Sequence, residues 1–470
     1  MRTRREYQEI EITVDSIGLE GVSVGRIGDL VHFVSGALPG ERVRARVIRK
    51  KKNFVEAAAI EILEPSPHRQ QAPCPHFGVC GGCKWQHFHG SQQTLWKRNH
   101  VVDAFERIAR IAVGEIRDTL TSPLDYRYRN KMEFSFGASK WLTRSEIDSG
   151  EDFDVRFALG LHVPGRFDKV RHIESCLLHA DAADAVLAHT HRCAQNSSVR
   201  AYHQRLHTGF ARHLVLRTSA TTGSVMAILI TTTPTEEAET VFVNEWLSAF
   251  SGLPRGSSMI HAVNDSHSPV AVGHIVQTLG PGYLDETSNG VTFRISPFSF
   301  FQTNTHHLPA LVEEAIEGAA VNADSVVWDL YCGTGTLTLP AARSAKHVLG
   351  AELSAGSISD AKQNAERNGI TNVELHVLDL HKPAAISVLK SFATPNVIMI
   401  DPPRSGMHEQ VVRHIMEVAP PRVVYVSCNP ATMARDCAIL AEMYDVARVT
   451  PVDMFPQTYH VEAVGVLIKR

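Results

Sequence analysis

The chain has 470 residues, 44% of them hydrophobic, and a formal net charge of −3. It is long enough for roughly two to four domains with ordinary cores, and it has no apolar run near the roughly 20 residues a membrane helix needs. The opening residues, MRTRREYQEIEI, lack the apolar region of a signal peptide, so a cytoplasmic protein with no membrane partner is expected. The net charge gives no argument for a nucleic-acid partner, so any basic face has to be local. The eight cysteines do not read as a secreted disulfide framework; three are clustered, a pattern that favours metal or catalysis.

Residues 5–66 alternate like a small β domain, with segments such as GVSVGRI, LVHFVSGAL and RVRARVIRK separated by glycine, proline and polar breaks. Short strands at this spacing suggest a five-stranded barrel of the OB kind. Arg42, Arg44 and Arg46 fall on one face of a strand, and Lys50 follows in a basic turn. Such a face can bind nucleic acid or can simply be a solvated edge that blocks aggregation. Glu64-Pro65-Ser66-Pro67 reads as a linker.

Next comes Cys74-Pro-His-Phe-Gly-Val-Cys80-Gly-Gly-Cys83. Three cysteines within ten residues, broken by glycine and proline, can wrap one metal centre. Zinc usually takes two paired knuckles, and no second CxxC follows. An iron–sulfur centre takes three clustered cysteines and one distant one. Cys176 and Cys193 are the candidates for the fourth; Cys193 lies in an alanine-rich helical pattern, where a thiol more often packs. His76 and His87 are weaker ligand candidates. The spacing in residues 91–110 predicts an amphipathic helix. Tyr126-Arg127-Tyr128-Arg129-Asn130-Lys131 interleaves rings and bases, as for base stacking with phosphate contact or as in an ordinary exposed strand. Residues 67–290 are expected to form a central α/β domain, chemically quiet apart from the cysteines.

From residue 291 the signals sharpen. SVVWDLYCGTGTLTLPAA reads as strand, glycine turn and helix, with Gly333 and Gly335 letting a ligand approach the backbone. The next strand ends in Glu352, placed to bind ribose hydroxyls. Later strands end near Asp379, at Asp401 in Asp-Pro-Pro-Arg, and at Cys428 in VSCNP. This βαβ rhythm predicts a Rossmann-like, doubly wound sheet over 291–470, with its chemistry at the strand ends. Cys332, also at a strand end, is a rival to Cys428 as the reactive thiol.

With these motifs on the page, the chain resembles the S-adenosylmethionine-dependent RNA uridine-5-methyltransferases along essentially its whole length. The resemblance rests on the N-terminal barrel, read as a TRAM domain, on CPHFGVCGGC, SFFQTN, DLYCGTGT, DPPR and VSCNPAT, and on TYHVEAV with Glu462. It implies a barrel, a central iron–sulfur domain and a C-terminal methyltransferase domain. It points to the bacterial 23S ribosomal RNA members, whose [4Fe-4S] ligands would match Cys74, Cys80, Cys83 and, by position, Cys176. S-adenosylmethionine contacts would match Gln302, Tyr331, Glu352 and Asp401, beside Gly333, Gly335 and Asp379. The nucleophile would match Cys428 and the base Glu462. Thr336 departs from members that carry asparagine there.

The implied chemistry needs these residue types. A thiolate adding at uracil C6 makes C5 nucleophilic enough to take a methyl group, and a base must then remove the C5 proton before the thiol leaves. The target base has to be unstacked from its RNA. Three alternatives are weighed: a tRNA uracil-C5 methyltransferase, an N-methyltransferase working through the Asp-Pro-Pro-Arg motif, and a non-catalytic RNA-binding iron–sulfur protein. The last two need neither Cys428 nor Glu462.

Overall fold

The computed structural model describes residues 8–470; residues 5–7, the expected start of the first domain, lie outside the described residues. Five strands, β1 (Glu9–Ile17), β2 (Ser23–Ile27), β3 (Leu30–Ser35), β4 (Arg42–Lys50) and β5 (Phe54–Glu64), close into a barrel in the order β1-β2-β3-β5-β4. Period-two alternation turns Val43 and Ala45 inward to meet Ile12, Val14, Val34 and Ala57, and turns the arginines of β4 outward. The expected linker is not loose. Ser66 is buried, and its N–H donates to the carboxylate of Glu41 at 3.2 Å, which also accepts from Arg69 at 2.5 Å.

The cysteine loop (residues 74–83) has no regular secondary structure. Helix α1 (Gly90–Ala104) follows, then a π-turn over Phe105–Ala109 and a short strand β6 (Val113–Ile116). Residues 90–116 were expected in the central unit, yet they pack on the C-terminal one. Val101, Ala104 and Phe105 share a core with Met433, Ala434 and Cys437, and β6 is the outermost strand of the C-terminal sheet.

The segment 126–131 is neither an exposed strand nor an open stacking surface. Tyr128 is buried and its hydroxyl donates to the carbonyl of Pro456 at 3.0 Å. Arg127 adopts φ +57° and pairs with Asp181 and Asp184. Only Lys131 starts a strand. From there the central unit is one seven-stranded sheet built from β7 (Lys131–Gly137), β8 (Ala158–Val163), β9 (Arg166–His172), β10 (Ala211–Thr218), β11 (Val225–Thr231), β12 (Ser258–Val263) and β13 (His274–Leu279). Its order is β13-β12-β11-β10-β7-β8-β9, with α2 (Arg144–Ser149), α3 (Asp184–Asn196) and α4 (Glu237–Leu247) in the connections. Every residue of β10 and β11 is buried; β11 is an almost continuous apolar run, whereas β10 buries Arg212 and Arg217, whose guanidiniums donate to the carbonyls of Ser266 and Ser299.

The boundary expected at 290/291 falls inside a hairpin, β14 (Leu284–Ser288) with β15 (Val291–Ile295). Leu284, Val291, Phe293 and Ile295 join a core shared by central strands β10–β12 and the C-terminal unit, and the N–H groups of Thr292 and Arg294 donate to Asn368 and Asn364, which ties the hairpin to the C-terminal side. After α5 (Leu308–Ala319) the expected rhythm appears: β16 (Val326–Leu330), α6 (Thr338–Ala342), β17 (His347–Glu352), α7 (Ala355–Arg367), β18 (Val373–Val377), α8 (Pro383–Leu389), β19 (Val397–Ile400), α9 (Glu409–Val418), β20 (Arg422–Ser427), α10 (Pro430–Leu440), β21 (Tyr444–Val452) and β22 (Glu462–Lys469). The sheet runs β18-β17-β16-β19-β20-β22-β21-β6. The first five strands pair in parallel, whereas β22 is antiparallel to both neighbours. Strand order reverses between β16 and β19, and that crevice is where open sheets of this kind bind ligands.

Candidate active site

The β16/β19 crevice is walled by the glycine turn. Tyr331, Gly333 and Gly335 all have positive φ, at +67°, +55° and +91°. The left-handed tyrosine is strained for a residue with a Cβ, and strain of this kind collects where a ligand is gripped. Gly333 has open space where a side chain would start, and Gly335 sits against Leu339. The Tyr331 hydroxyl is buried without a hydrogen-bond partner, and so are Thr334 Oγ1 and Asp329 Oδ1. Glu352, at the end of β17, accepts from the Gly333 N–H at 3.3 Å and the Ser354 N–H at 2.8 Å. Asp379 lies two residues past β18 and pairs with Lys382 at 3.2 Å. An orphaned hydroxyl, an open glycine cradle and a carboxylate at the second strand's end fit an adenosyl ligand.

Gln302 arrives from the segment before α5. Its amide nitrogen is 3.5 Å from Asp401 Oδ2, and its carbonyl accepts from the Asn130 amide at 2.8 Å. Asn304, two residues on, is fully buried and donates to the carbonyl of Met454 at 3.2 Å.

One strand further along, β20 ends at Ser427 and Cys428 follows it. Antiparallel pairing sets Ser427 opposite Ala463, so Cys428 and Glu462 meet at adjoining strand ends. Asp401 stands at the end of β19 on the other side. Asn429 caps α10 through the Ala431 N–H and donates to the carbonyl of Arg404 at 3.0 Å, which draws the Asp-Pro-Pro-Arg loop over the cysteine. Burial pushes the Cys428 thiol up to about 12, helped by the charges of Glu462 and Asp401, while Arg404 pulls the other way. Burial and Asp401 also hold the Glu462 carboxyl well above the ordinary range, with Arg404 again opposing. Asp401 itself is pushed up to about 7 by burial and by Asp329. A half-buried thiol, two proton-holding carboxyls and a single guanidinium can form a covalent bond to an electrophilic carbon and take up a proton afterwards. Arg404 was not singled out from sequence, although it stands inside the motif that flagged Asp401.

The rival thiol faces elsewhere. Cys332 is buried among Ile358, Ala361 and Leu375. Burial and the carboxylates of Asp329 and Glu352 keep its thiol protonated.

Cys74, Cys80, Cys83 and Cys176 line one cavity, together with His76 and Arg129. Cys193 is not among them; it is buried in α3 and 3.3 Å from His189. His87 also lies outside that lining, its ring 5.0 Å from that of Phe77 and tilted by 44° to it. Burial raises Cys80 to about 11 and Cys83 to about 12, and neighbouring cysteines raise both further. Among the described residues, no group of three or more His, Cys, Asp or Glu is disposed to grip a metal ion.

On the barrel, Arg42 pairs with Glu11 and Glu64 at 3.1 and 2.8 Å, and Arg44 with Glu61 at 2.5 Å. The outward stripe is therefore partly compensated by carboxylates on β1 and β5. Lys50, at the end of β4, is exposed.

The TRAM domain family model matches residues 2–60, and that of tRNA (Uracil-5-)-methyltransferase matches residues 282–470. An uncharacterised RNA methyltransferase of Bacteroides thetaiotaomicron is 38% identical over 450 residues, covering 95% of this chain and 99% of the relative. Another, from Chlorobaculum tepidum, is 38% identical over 99% of both chains. Among solved structures, the tRNA (uracil-54, C5)-methyltransferase of Pyrococcus abyssi in complex with S-adenosyl-L-homocysteine superposes with a TM-score of 0.74. It is 26% identical and covers 97% of this chain and 99% of its own. The likeness extends over nearly the whole length of these proteins, and the chain belongs to the RNA (uracil-5)-methyltransferase family of enzymes.

Proposed function

We propose that this enzyme transfers a methyl group from S-adenosylmethionine to C5 of a uridine in 23S ribosomal RNA, working in the cytoplasm. The observation that carries the reading is the β20–β22 register, which sets Cys428 beside Glu462 next to the crevice of the glycine turn. Bound S-adenosylmethionine supplies an electrophilic methyl group. Tyr331, Gly333, Gly335 and Glu352 hold its adenosyl part, Gln302 and Asp401 orient the reacting end, and Asp379 lies at the rim. Cys428, as thiolate, adds to C6 of the flipped uracil, and the C5=C6 electrons become an enolate whose C5 accepts the methyl. Glu462, as carboxylate, then removes the C5 proton. The double bond re-forms and the Cys428 thiolate leaves, so the net change is one methyl gained and one proton released.

Cys74, Cys80, Cys83 and Cys176 would hold a [4Fe-4S] cluster with a structural role, since nothing in methyl transfer requires an electron. Arg42, Arg44, Arg46 and Lys50 would contact RNA phosphates from the barrel. A second reading, a tRNA substrate, is favoured by the likeness to the Pyrococcus abyssi enzyme. One experiment separates the two. RNA lacking the modification is incubated with the protein and labelled S-adenosylmethionine, and the labelled nucleotide is mapped. Label in 5-methyluridine of 23S rRNA is expected. Label confined to tRNA selects the second reading, and label on an amino nitrogen removes both.

A further inference from the structure

The wall that closes the cysteine cavity has a second face. Gly82, Arg129, Met132 and Leu161 line that cavity and also line an open groove of about 820 Å³. The outer rim of the groove is the turn between β8 and β9 and the start of β9, which carries Arg166 and Phe167. Its inner end is Thr303, beside Gln302, with a buried hydroxyl that has no partner. Arg129, Lys131 and Arg166 line the groove; Glu133 pairs with Lys131 at 2.6 Å, and Asp168 pairs with Arg166 at 3.5 Å and with Arg205 at 3.0 Å, so three cations share two carboxylates at this rim.

Phe167 is 65% exposed, an unusual position for a large ring, and the Arg205 guanidinium lies 5.5 Å from its centre. The cysteine loop supports this rim directly. The Gly81 N–H donates to the carbonyl of His162 at 3.1 Å, and a side chain at Gly81 would start 2.9 Å from that oxygen.

We propose that this groove binds the single-stranded RNA segment flanking the target uridine, with Phe167 as a stacking platform and Arg166, Lys131 and Arg205 on the phosphates. The inference rests on the proposed function and adds to it a surface. A flat exposed ring beside cations is what sequence-tolerant single-strand binding uses. The groove runs from that ring to the residue next to Gln302, so a strand lying in it delivers its next base to the strand-end crevice. A protein partner would have no reason to follow this path inward. The cysteine loop then has a definite task, which is to hold the floor and rim of the groove.

The test uses the full-length protein and total RNA lacking the modification. Phe167→Ala should raise the apparent KM for RNA about tenfold, with kcat and the KM for S-adenosylmethionine changed by less than about twofold. Phe167→Trp should restore wild-type KM, which loss of a merely structural contact would not predict. Arg166→Glu should raise the RNA KM and lower the slope of log KM against log salt by about 0.7. An unchanged RNA KM in Phe167→Ala and Arg166→Glu, with an active wild type, overturns the groove alone. Equal losses in Phe167→Ala and Phe167→Trp overturn the stacking platform. A wild-type protein that methylates no RNA removes the proposed function, and the groove falls with it.

Discussion

Two places in the molecule set half-buried thiols among other polar groups, and they differ in what surrounds them. At the end of β20 one thiol faces two carboxyls at the ends of neighbouring strands and one guanidinium from the loop after β19. In the cysteine cavity four thiols face mainly each other and Arg129, on irregular chain. The first arrangement can move protons around a single sulfur. The second has no carboxylate among its lining groups, only His76 and Arg129 beside the four cysteines. Residue type is the same in both, and the neighbours decide the chemistry.

That contrast can be broken most sharply at Cys428. Cys428→Ala should abolish methyl transfer while leaving S-adenosylmethionine binding intact, as measured by calorimetry; an active variant would remove the distinction between the two thiol sites. Glu462→Gln should cut turnover by about a hundred- to ten-thousandfold. It should also accumulate a covalent protein–RNA complex carrying the new methyl group, visible as a slow band on a denaturing gel. An adduct mapped by mass spectrometry to Cys332 would contradict the assignment.

The cavity side is tested with anaerobically purified protein. Cys176→Ser should lose bound iron and sulfide, whereas Cys193→Ser should keep both. Stoichiometric zinc without sulfide would mean that the four sulfurs rearrange around an ion after all.

A smaller effect sharpens the proton account. Because the Cys428 thiol and the Glu462 carboxyl both lie above their ordinary values, their reactive deprotonated forms grow with pH. The wild-type kcat/KM should therefore climb between about pH 6 and pH 9. Arg404→Ala, which removes the one group opposing both shifts, should move that limb to higher pH. A profile flat over this range would show a thiol already ionised. The smallest change is expected on the barrel. Neutralising Arg42, Arg44, Arg46 and Lys50 together should raise the RNA KM only a few-fold, since Arg42 and Arg44 already sit in exposed ion pairs worth about 0–1 kcal/mol each.

The parts of this design that were legible in the sequence are those written in local patterns. Alternation in RVRARV gave the barrel strand, and an apolar run followed by a glycine or a polar residue gave the ends of the five parallel strands of the C-terminal sheet, but not β6, β21 or β22. The rest depends on contacts between residues far apart. Nothing near Tyr128 signals that its ring is buried against the segment 453–460, because its partner, Pro456, comes from the far end of the chain. The carboxylates that meet Arg42 and Arg44 come from two other strands, so a basic stripe in sequence became a mixed surface in space. The Asp-Pro-Pro-Arg motif drew attention to its acid, while the role of its arginine emerged only once Asn429 was seen to fold the loop over Cys428.

The pairing of β6 with β21 has a consequence for how the molecule is made. Four residues from the N-terminal quarter form the last rung of a sheet whose other strands all come from the C-terminal third. During synthesis β6 leaves the ribosome long before its partner exists, and contacts of such long sequence separation form late. Until they form, β21 presents an unpaired edge, the feature through which nascent sheets stick to one another. A strand translated within the first quarter of the chain thus completes a sheet made from the last third, and the growing polypeptide has to keep it available until the final strands emerge.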